Sequence, residues 1–414
     1  RQDSTFLYFF GLPYAGLSAI IDIDNDKEII FGDELTIDAI VWMGTQPTLK
    51  EKSEAAGIKE VRPFKEIETY LKNAQQKGQP IHYLPTYRAE HQIKLFQWLG
   101  IVPGAEKPSV PFIMGVVNQR NYKSEEEIAE IEKACIVTAD MHLTAMRTVR
   151  PGIRESDVAA AVAEVAFANN YQLSFPIIAT INGQTLHNHD HSHMIKSGDM
   201  LLLDAGAETE MGYAGDMSST IPADSKFTTR QKDIYDIQVA AHEAAVAALR
   251  PGIPFVDVYE LSCKVIMEGL KDLGFVKGDP MEAVKAGAHA MFMPCGLGHM
   301  MGLDVHDMEN LGEVYVGYNG QPKSTEFGRK SLRLGRKLEP GFVLTIEPCV
   351  YFIPELMDLW RGQNKFTEFI NYEKLFTYKD FSGIRNEDYL ITENGARLLG
   401  KKIPLRTEEV EAIR

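Results

Sequence analysis

One stretch of this chain occurs twice. Arg150-Pro151-Gly152-Ile153, with Asp157-Val158 after it, recurs as Arg250-Pro251-Gly252-Ile253 with Asp257-Val258. Helical apolar spacing flanks both copies. Pro-Gly is a common helix stop, because proline cannot donate a backbone hydrogen bond and glycine accepts a left-handed turn. That explains two of the matching positions and leaves the others unexplained. The helix before the first copy opens on a capping box, Ser124 with Glu127, and the helix before the second on Thr228 with Gln231. A second echo follows. Gly198-Asp199-Met200-Leu201-Leu202-Leu203 ends in Asp204, and Gly341-Phe342-Val343-Leu344-Thr345-Ile346 ends in Glu347. Each is a turn, a buried strand and an acid at the strand's end. A duplicated unit of this kind folds into two related halves, and acids at matching places converge on one site between them.

The acids have company. Met200–Gly206 and Tyr213–Ile221 read as a hairpin; with its turn near Glu210, Asp204 and Asp216 face each other with Cβ atoms ~5 Å apart. Facing acids beside buried aliphatics are costly unless one is protonated or a cation lies between them. The plainer reading makes Asp216 a solvated strand-end acid. Val343–Tyr351 and Ile384–Thr392 repeat the arrangement with Glu347 and Glu387. Two histidines join them, His299 inside Gly296-Leu297-Gly298-His299-Met300-Met301-Gly302, and His306 in Asp304-Val305-His306-Asp307. His187, His189, His191 and His193 alternate before Gly198; the last three read as a solvent-facing patch.

Ahead of this region, Ser18–Asp24 and Glu28–Gly32 read as a hairpin within an α/β domain. The expected domains are 1–116 and 117–414, with Val117–Lys123 as connector. At 414 residues and 44% hydrophobic content, the chain has material for a large core and is not a disordered one. A net charge of −15 repels nucleic acid and anionic lipid. No apolar run reaches the ~18 residues of a membrane span. Four scattered cysteines without a C-x-x-C pair read as reduced thiols, which points to the cytoplasm.

Five blocks in order carry a family likeness: Leu203-Asp204-Ala205-Gly206-Ala207-Glu208 with Gly215-Asp216; Gly298-His299; Gly302-Leu303-Asp304-Val305-His306-Asp307; Thr345-Ile346-Glu347-Pro348; and Gly383-Ile384-Arg385-Asn386-Glu387-Asp388. Together they resemble the metallopeptidases that share the pita-bread fold with methionine aminopeptidase, most of all the Xaa-Pro dipeptidases (prolidases), then the Xaa-Pro aminopeptidases. The resemblance implies an α+β fold: a creatinase-like N-terminal α/β domain, then a pita-bread catalytic domain with an internal pseudo-twofold. The opening Arg1-Gln2-Asp3-Ser4 looks like an internal motif of such N-terminal domains, which implies a missing leading segment.

By the same resemblance, Asp204, Asp216, His299, Glu347 and Glu387 hold two divalent cations, manganese first, with cobalt or zinc as alternatives. Asp216 and Glu387 bridge both ions, Asp204 serves one, and His299 with Glu347 the other. A bridging hydroxide attacks the Xaa-Pro bond, and Glu347 carries the proton. His187 contacts substrate, and His306 steadies the tetrahedral intermediate. Tyr351 and Arg385 orient the ligands. Arg333 grips the free carboxylate of a dipeptide, unless it is a plain surface arginine. Trp42 reaches a partner subunit's site in a homodimer, unless it is a core residue. Cys349 and Cys295 stand where relatives carry glycine and histidine, Met308-Glu309-Asn310 replaces a glycine-rich stretch, and Asn386 replaces an aliphatic residue. The expected activity is Xaa-Pro dipeptidase. The alternatives are an aminopeptidase for longer peptides, a metal-free creatinase-like hydrolase, which the complete ligand set argues against, and an inactive scaffold of the same fold.

Overall fold

Ile29, Ile30 and Phe31 bury both faces of one strand in the computed structural model, which describes residues 1–378, 382–384 and 386–414. The chain divides into two units, Arg1–Val117 and Asn118–Arg414. In the first, the apolar run Phe6–Phe10 belongs to helix α1 (Ser4–Phe10), which Asp3 caps. Strands β1 (Ser18–Asp22) and β2 (Lys27–Gly32) form the expected hairpin, with Ser18 opposite Phe31. Helices α2 (Ile37–Met43) and α3 (Leu49–Ala55) lead to β3 (Glu60–Pro63), which joins β2 in parallel. Helices α4 (Ile67–Gln76), α5 (Ala89–Leu99) and α6 (Val110–Arg120) follow. Ile29 and Phe31 pack with Ile67 and Leu71, whereas Ile30 packs with Leu12 and Leu49. Successive strand residues point to opposite faces, so β2 is the middle layer of this unit.

Trp42 is not a core residue: it is 85% exposed on α2, beside exposed Val41 and Met43. The expected connector Val117–Lys123 is helical as far as Arg120. Arg120 and Lys123 are buried there, because both bond to the buried Asp307 carboxylate.

In the second unit, α7 (Glu125–Thr148) and α8 (Glu155–Ala168) precede β4 (Gln172–Leu173), β5 (Ile178–Thr180), β6 (Met200–Ala205), β7 (Ala207–Glu208) and β8 (Met217–Pro222). Helices α9 (Thr229–Ala248), α10 (Phe255–Asp272), α11 (Pro280–Ala286) and α12 (Glu313–Val316) lead to β9 (Val343–Ile346) and β10 (Cys349–Tyr351). Then come α13 (Pro354–Gly362), α14 (Tyr372–Leu375), β11 (Ser382–Ile384), β12 (Glu387–Thr392), β13 (Gly395–Leu398) and α15 (Thr407–Ile413). Two three-stranded sheets, β5-β6-β8 and β13-β12-β9, carry the acid-bearing strands. Both capping boxes form, at the starts of α7 and α9.

The duplication is written in the backbone hydrogen bonds. Gly152 N–H donates to Ile195 O, Ile195 N–H to Ile153 O, and Glu155 N–H to His193 O. In the second copy Gly252 donates to Leu338 O, Leu338 to Ile253 O, and Phe255 to Arg336 O. Each helix stop therefore docks on the segment just ahead of its own acid-bearing strand. Gly198 and Gly341 make the matching turns there, both at φ 90°. Among the described residues no helix is long and apolar enough to cross a membrane.

Candidate metal centre

Strand register sets the first two acids. Asp204 lies opposite Ser218, two residues away from the expected pairing with Asp216. The turn decides this: Thr209 N–H donates to Tyr213 O, and Gly215 N–H to Ala207 O, both at 2.9 Å, which centres the hairpin past Glu210. A slip of two residues preserves side-chain parity, so Asp216 stays on the face of Asp204 as its diagonal neighbour. In the second hairpin Glu387 lies opposite Ile346, so Glu347, just beyond β9, does not face it either.

Two further pairings assemble the site, the first of them between the halves. Ser218 and Asn386 exchange both backbone hydrogen bonds, at 3.3 and 3.1 Å, which seats the second hairpin against the first. Ser218 Oγ also donates to Asp204 Oδ1 at 3.0 Å. The segment Gly296–Met301 runs beside β9: Thr345 N–H donates to His299 O at 3.0 Å and Glu347 N–H to Leu297 O at 2.7 Å. Gly298 permits that approach, since a Cβ there would sit 2.0 Å from Thr345 O. Gly298→Ala is therefore expected to destabilise the protein by about 1–3 kcal/mol. Urea melts check this; an unchanged midpoint would remove the steric argument.

The side chains then meet. His299 Nε2 is 3.2 Å from Asp216 Oδ2 and 3.5 Å from Glu347 Oε1, and its Nδ1 is 3.0 Å from Met300 O. Burial, then the charges of Asp216 and Glu347, hold the Asp204 carboxyl well above its ordinary range. Burial also lifts Glu347, to about 7, against the pull of His299. For His299 burial acts downward, but Asp216 and Glu347 outweigh it and raise the imidazole to about 9. Glu387 accepts from the Tyr389 hydroxyl at 2.9 Å and lies 3.4 Å from His242 Nε2. His306 packs edge-on against His299 with ring centroids 4.4 Å apart, and its Nδ1 is 2.9 Å from Glu309 Oε2.

The other expected residues fall out differently. Tyr351 is buried on β10. Arg385 lies outside the described residues. His187 is exposed on the loop between β5 and β6, with no hydrogen bond or ion pair to the acid cluster among the described residues. His193, expected in a solvent-facing patch, lies 2.9 Å from the buried Glu155 carboxylate, which also accepts from Ile181 N–H at 2.7 Å. Arg333 is ion-paired with Glu309 and Glu313. The Cys349 thiol points at Cys295, with sulfurs 2.8 Å apart, and all four cysteines are free.

Asp388 is a residue the sequence reading passed over. Its buried Oδ2 accepts from Asp216 N–H at 3.0 Å and from Cys135 Sγ at 3.1 Å, tying the two hairpins from behind. The signal was present: an acid next to Glu387 inside an otherwise apolar strand has no cheap place except against a donor.

Among the described residues, no set of three or more His, Cys, Asp or Glu side chains is arranged as ligands around one ion. His299 is instead drawn onto the carboxylates themselves. The donor chemistry nonetheless fits divalent cations. Three carboxylates and an imidazole crowd together, and no lysine or arginine forms an ion pair with Asp204, Asp216 or Glu347 among the described residues. Oxygen donors with one imidazole suit hard or borderline divalent ions.

Known proteins resemble this chain in sequence and fold. Residues 129–393 match metallopeptidase family M24, and residues 1–82 match the aminopeptidase P N-terminal domain. The chain is 29% identical to the human Xaa-Pro dipeptidase over 424 residues, covering 100% of this chain and 84% of that protein. It is 31% identical to the Xaa-Pro aminopeptidase of Escherichia coli over 431 residues, covering 100% and 88%. The solved structure of zinc-substituted E. coli aminopeptidase P in complex with product superimposes with a TM-score of 0.81 at 28% identity, over 100% of this chain and 89% of that one. With an aminopeptidase P N-terminal domain ahead of a duplicated pita-bread catalytic unit, this chain belongs to metallopeptidase family M24.

Proposed function

We propose that this enzyme hydrolyses the peptide bond between an N-terminal residue and proline. The observation that carries the reading is the crowding of Asp204, Asp216 and Glu347 around His299, with no lysine or arginine paired to these three acids among the described residues. The dipeptidase and aminopeptidase among its relatives support proline as the residue after the cleaved bond. Asp204, Asp216, His299, Glu347 and Glu387 would hold two divalent ions, manganese first, with cobalt or zinc as alternatives. Bound there, such ions polarise a carbonyl and acidify water to near neutrality.

The remaining work falls to the chain itself. Glu347, steadied by the Thr345 hydroxyl at 3.1 Å, takes the proton of the attacking water and returns it to the leaving proline nitrogen. His306, held through Nδ1 by Glu309, offers its other nitrogen to the substrate oxygen. His187 meets the substrate from its exposed loop. Tyr351 and Arg385 orient the ligands. The free thiols support a cytoplasmic home, and the exposed apolar face of α2 supports a homodimer.

Metal-stripped protein is expected to melt higher when Mn²⁺, Co²⁺ or Zn²⁺ is restored, by about 2.7 kcal/mol at a hundredfold excess over Kd. The restored protein should release proline from Ala-Pro or Ala-Pro-Ala. The absence of both a melting shift and cleavage with all three ions would end the proposal.

A further inference from the structure

Glu309 lies where the family pattern has a small-residue stretch, and it holds two groups at once. It follows Met308, whose backbone is left-handed at φ 58°, and opens a short 3-10 turn, Glu309–Leu311. One carboxylate oxygen faces His306 Nδ1; the other pairs with Arg333. Glu313, at the start of α12, pairs with the same Arg333 nitrogen and with Lys323. Arg333 is linked to the reacting groups through Glu309, whose other oxygen lies 2.9 Å from His306 Nδ1, and His306 packs on His299 with ring centroids 4.4 Å apart.

We propose that Glu309 and Glu313 are specificity-determining residues: by neutralising Arg333 they turn the site away from the free carboxylate of Xaa-Pro dipeptides and toward peptides that continue past proline. This rests on the proposed Xaa-Pro activity. A carboxylate on the residue after the cleaved bond carries a full negative charge. To reach Arg333 it must displace a glutamate already paired there, or stack a third anion on one guanidinium. Like charges so placed disfavour one another strongly. A continuing peptide presents a neutral amide at that position and meets no such repulsion. The earlier expectation that Arg333 clamps a dipeptide takes the arginine alone; with both glutamates on it, the two cations and two carboxylates of the cluster leave no net positive charge.

The test compares kcat/KM for Ala-Pro-Ala and Ala-Pro in the wild type, Glu309→Gln and Glu313→Gln, each loaded with Mn²⁺. The wild type should favour the tripeptide, and each variant should shift that ratio toward the dipeptide by about tenfold, or ~1.4 kcal/mol. Glu313 is paired with Arg333 and Lys323, whereas Glu309 also holds His306, so Glu309→Gln should lower kcat on both substrates more than Glu313→Gln does. Wild-type preference for the dipeptide, or a ratio unmoved in both variants, overturns the proposal. Cleavage of neither peptide by the wild type instead overturns the Xaa-Pro reading beneath it.

Discussion

Under the proposed metal-holding role, Asp216→Ala is expected to lower kcat/KM on Xaa-Pro peptides by about a thousandfold or more, the ~4 kcal/mol that loss of such an acid would remove from the transition state. The metal-free protein should respond in the opposite sense. Asp216 stands among acids: burial, and after it the charges of Asp216 and Glu347, raise the Asp204 carboxyl. Asp216→Asn removes one charge and keeps a polar partner for His299 at the same place. Without added metal, this variant should melt at the wild-type temperature or up to about 2–4 °C above it, the shift that ~1 kcal/mol produces in a domain of this size. With metal added, the order reverses, because only the wild type gains binding energy. Function and apo stability thus pull apart at one residue. Calorimetry with and without Mn²⁺ reads both; equal turnover by the alanine variant would contradict the assigned role, and a metal-free asparagine variant that melts well below wild type would contradict the repulsion.

The second large effect concerns folding. Asp307 is buried between Arg120 at 2.7 Å and Lys123 at 2.8 Å, both also buried. Asp307→Ala is expected to destabilise the protein by about 3–5 kcal/mol, because it strips two buried cations of their shared carboxylate. Burial alone would raise the Asp307 carboxyl; the Lys123 ammonium and the Arg120 guanidinium overcome this and hold it below the usual carboxylate range. The sign of the pH effect follows. A depressed carboxyl contributes fully above its unfolded value of about 4, and the contribution fades as pH falls through the lower folded value. The gap between wild type and variant should therefore be widest near pH 7 and shrink toward pH 3. Denaturant melts at both values measure it, and a gap constant with pH would show that lost packing, not the ion triad, was responsible.

That triad also marks where reading by residue pattern stops. Arg120 and Lys123 sit in a stretch whose local features suggest a connector, and nothing near them in sequence mentions Asp307. Trp42 is similar: an apolar residue in a short helix carries no local sign of whether its face is covered. Arg333 has a guanidinium fit for a carboxylate, but its engagement by Glu309 and Glu313 depends on a turn opened by a left-handed methionine. His187 matches a family motif, yet it makes no hydrogen bond or ion pair to the acid cluster among the described residues.

What the sequence by itself determined was local or repeated: the two helix stops and their capping boxes, the hairpin β1–β2, the acid at the end of each glycine-led strand, and the five motif blocks that mark the family. Caps, turns and side-chain periodicity act over a few residues, so they leave a direct imprint on the chain. The tertiary structure alone decided how those acids meet. It set Asp204 against Ser218 rather than Asp216, stitched Ser218 to Asn386, laid His299 beside Thr345, and closed Asp388 behind Asp216. Those pairings join residues far apart in sequence, and their register is set by turn closure and by which faces can be buried, which no local pattern encodes.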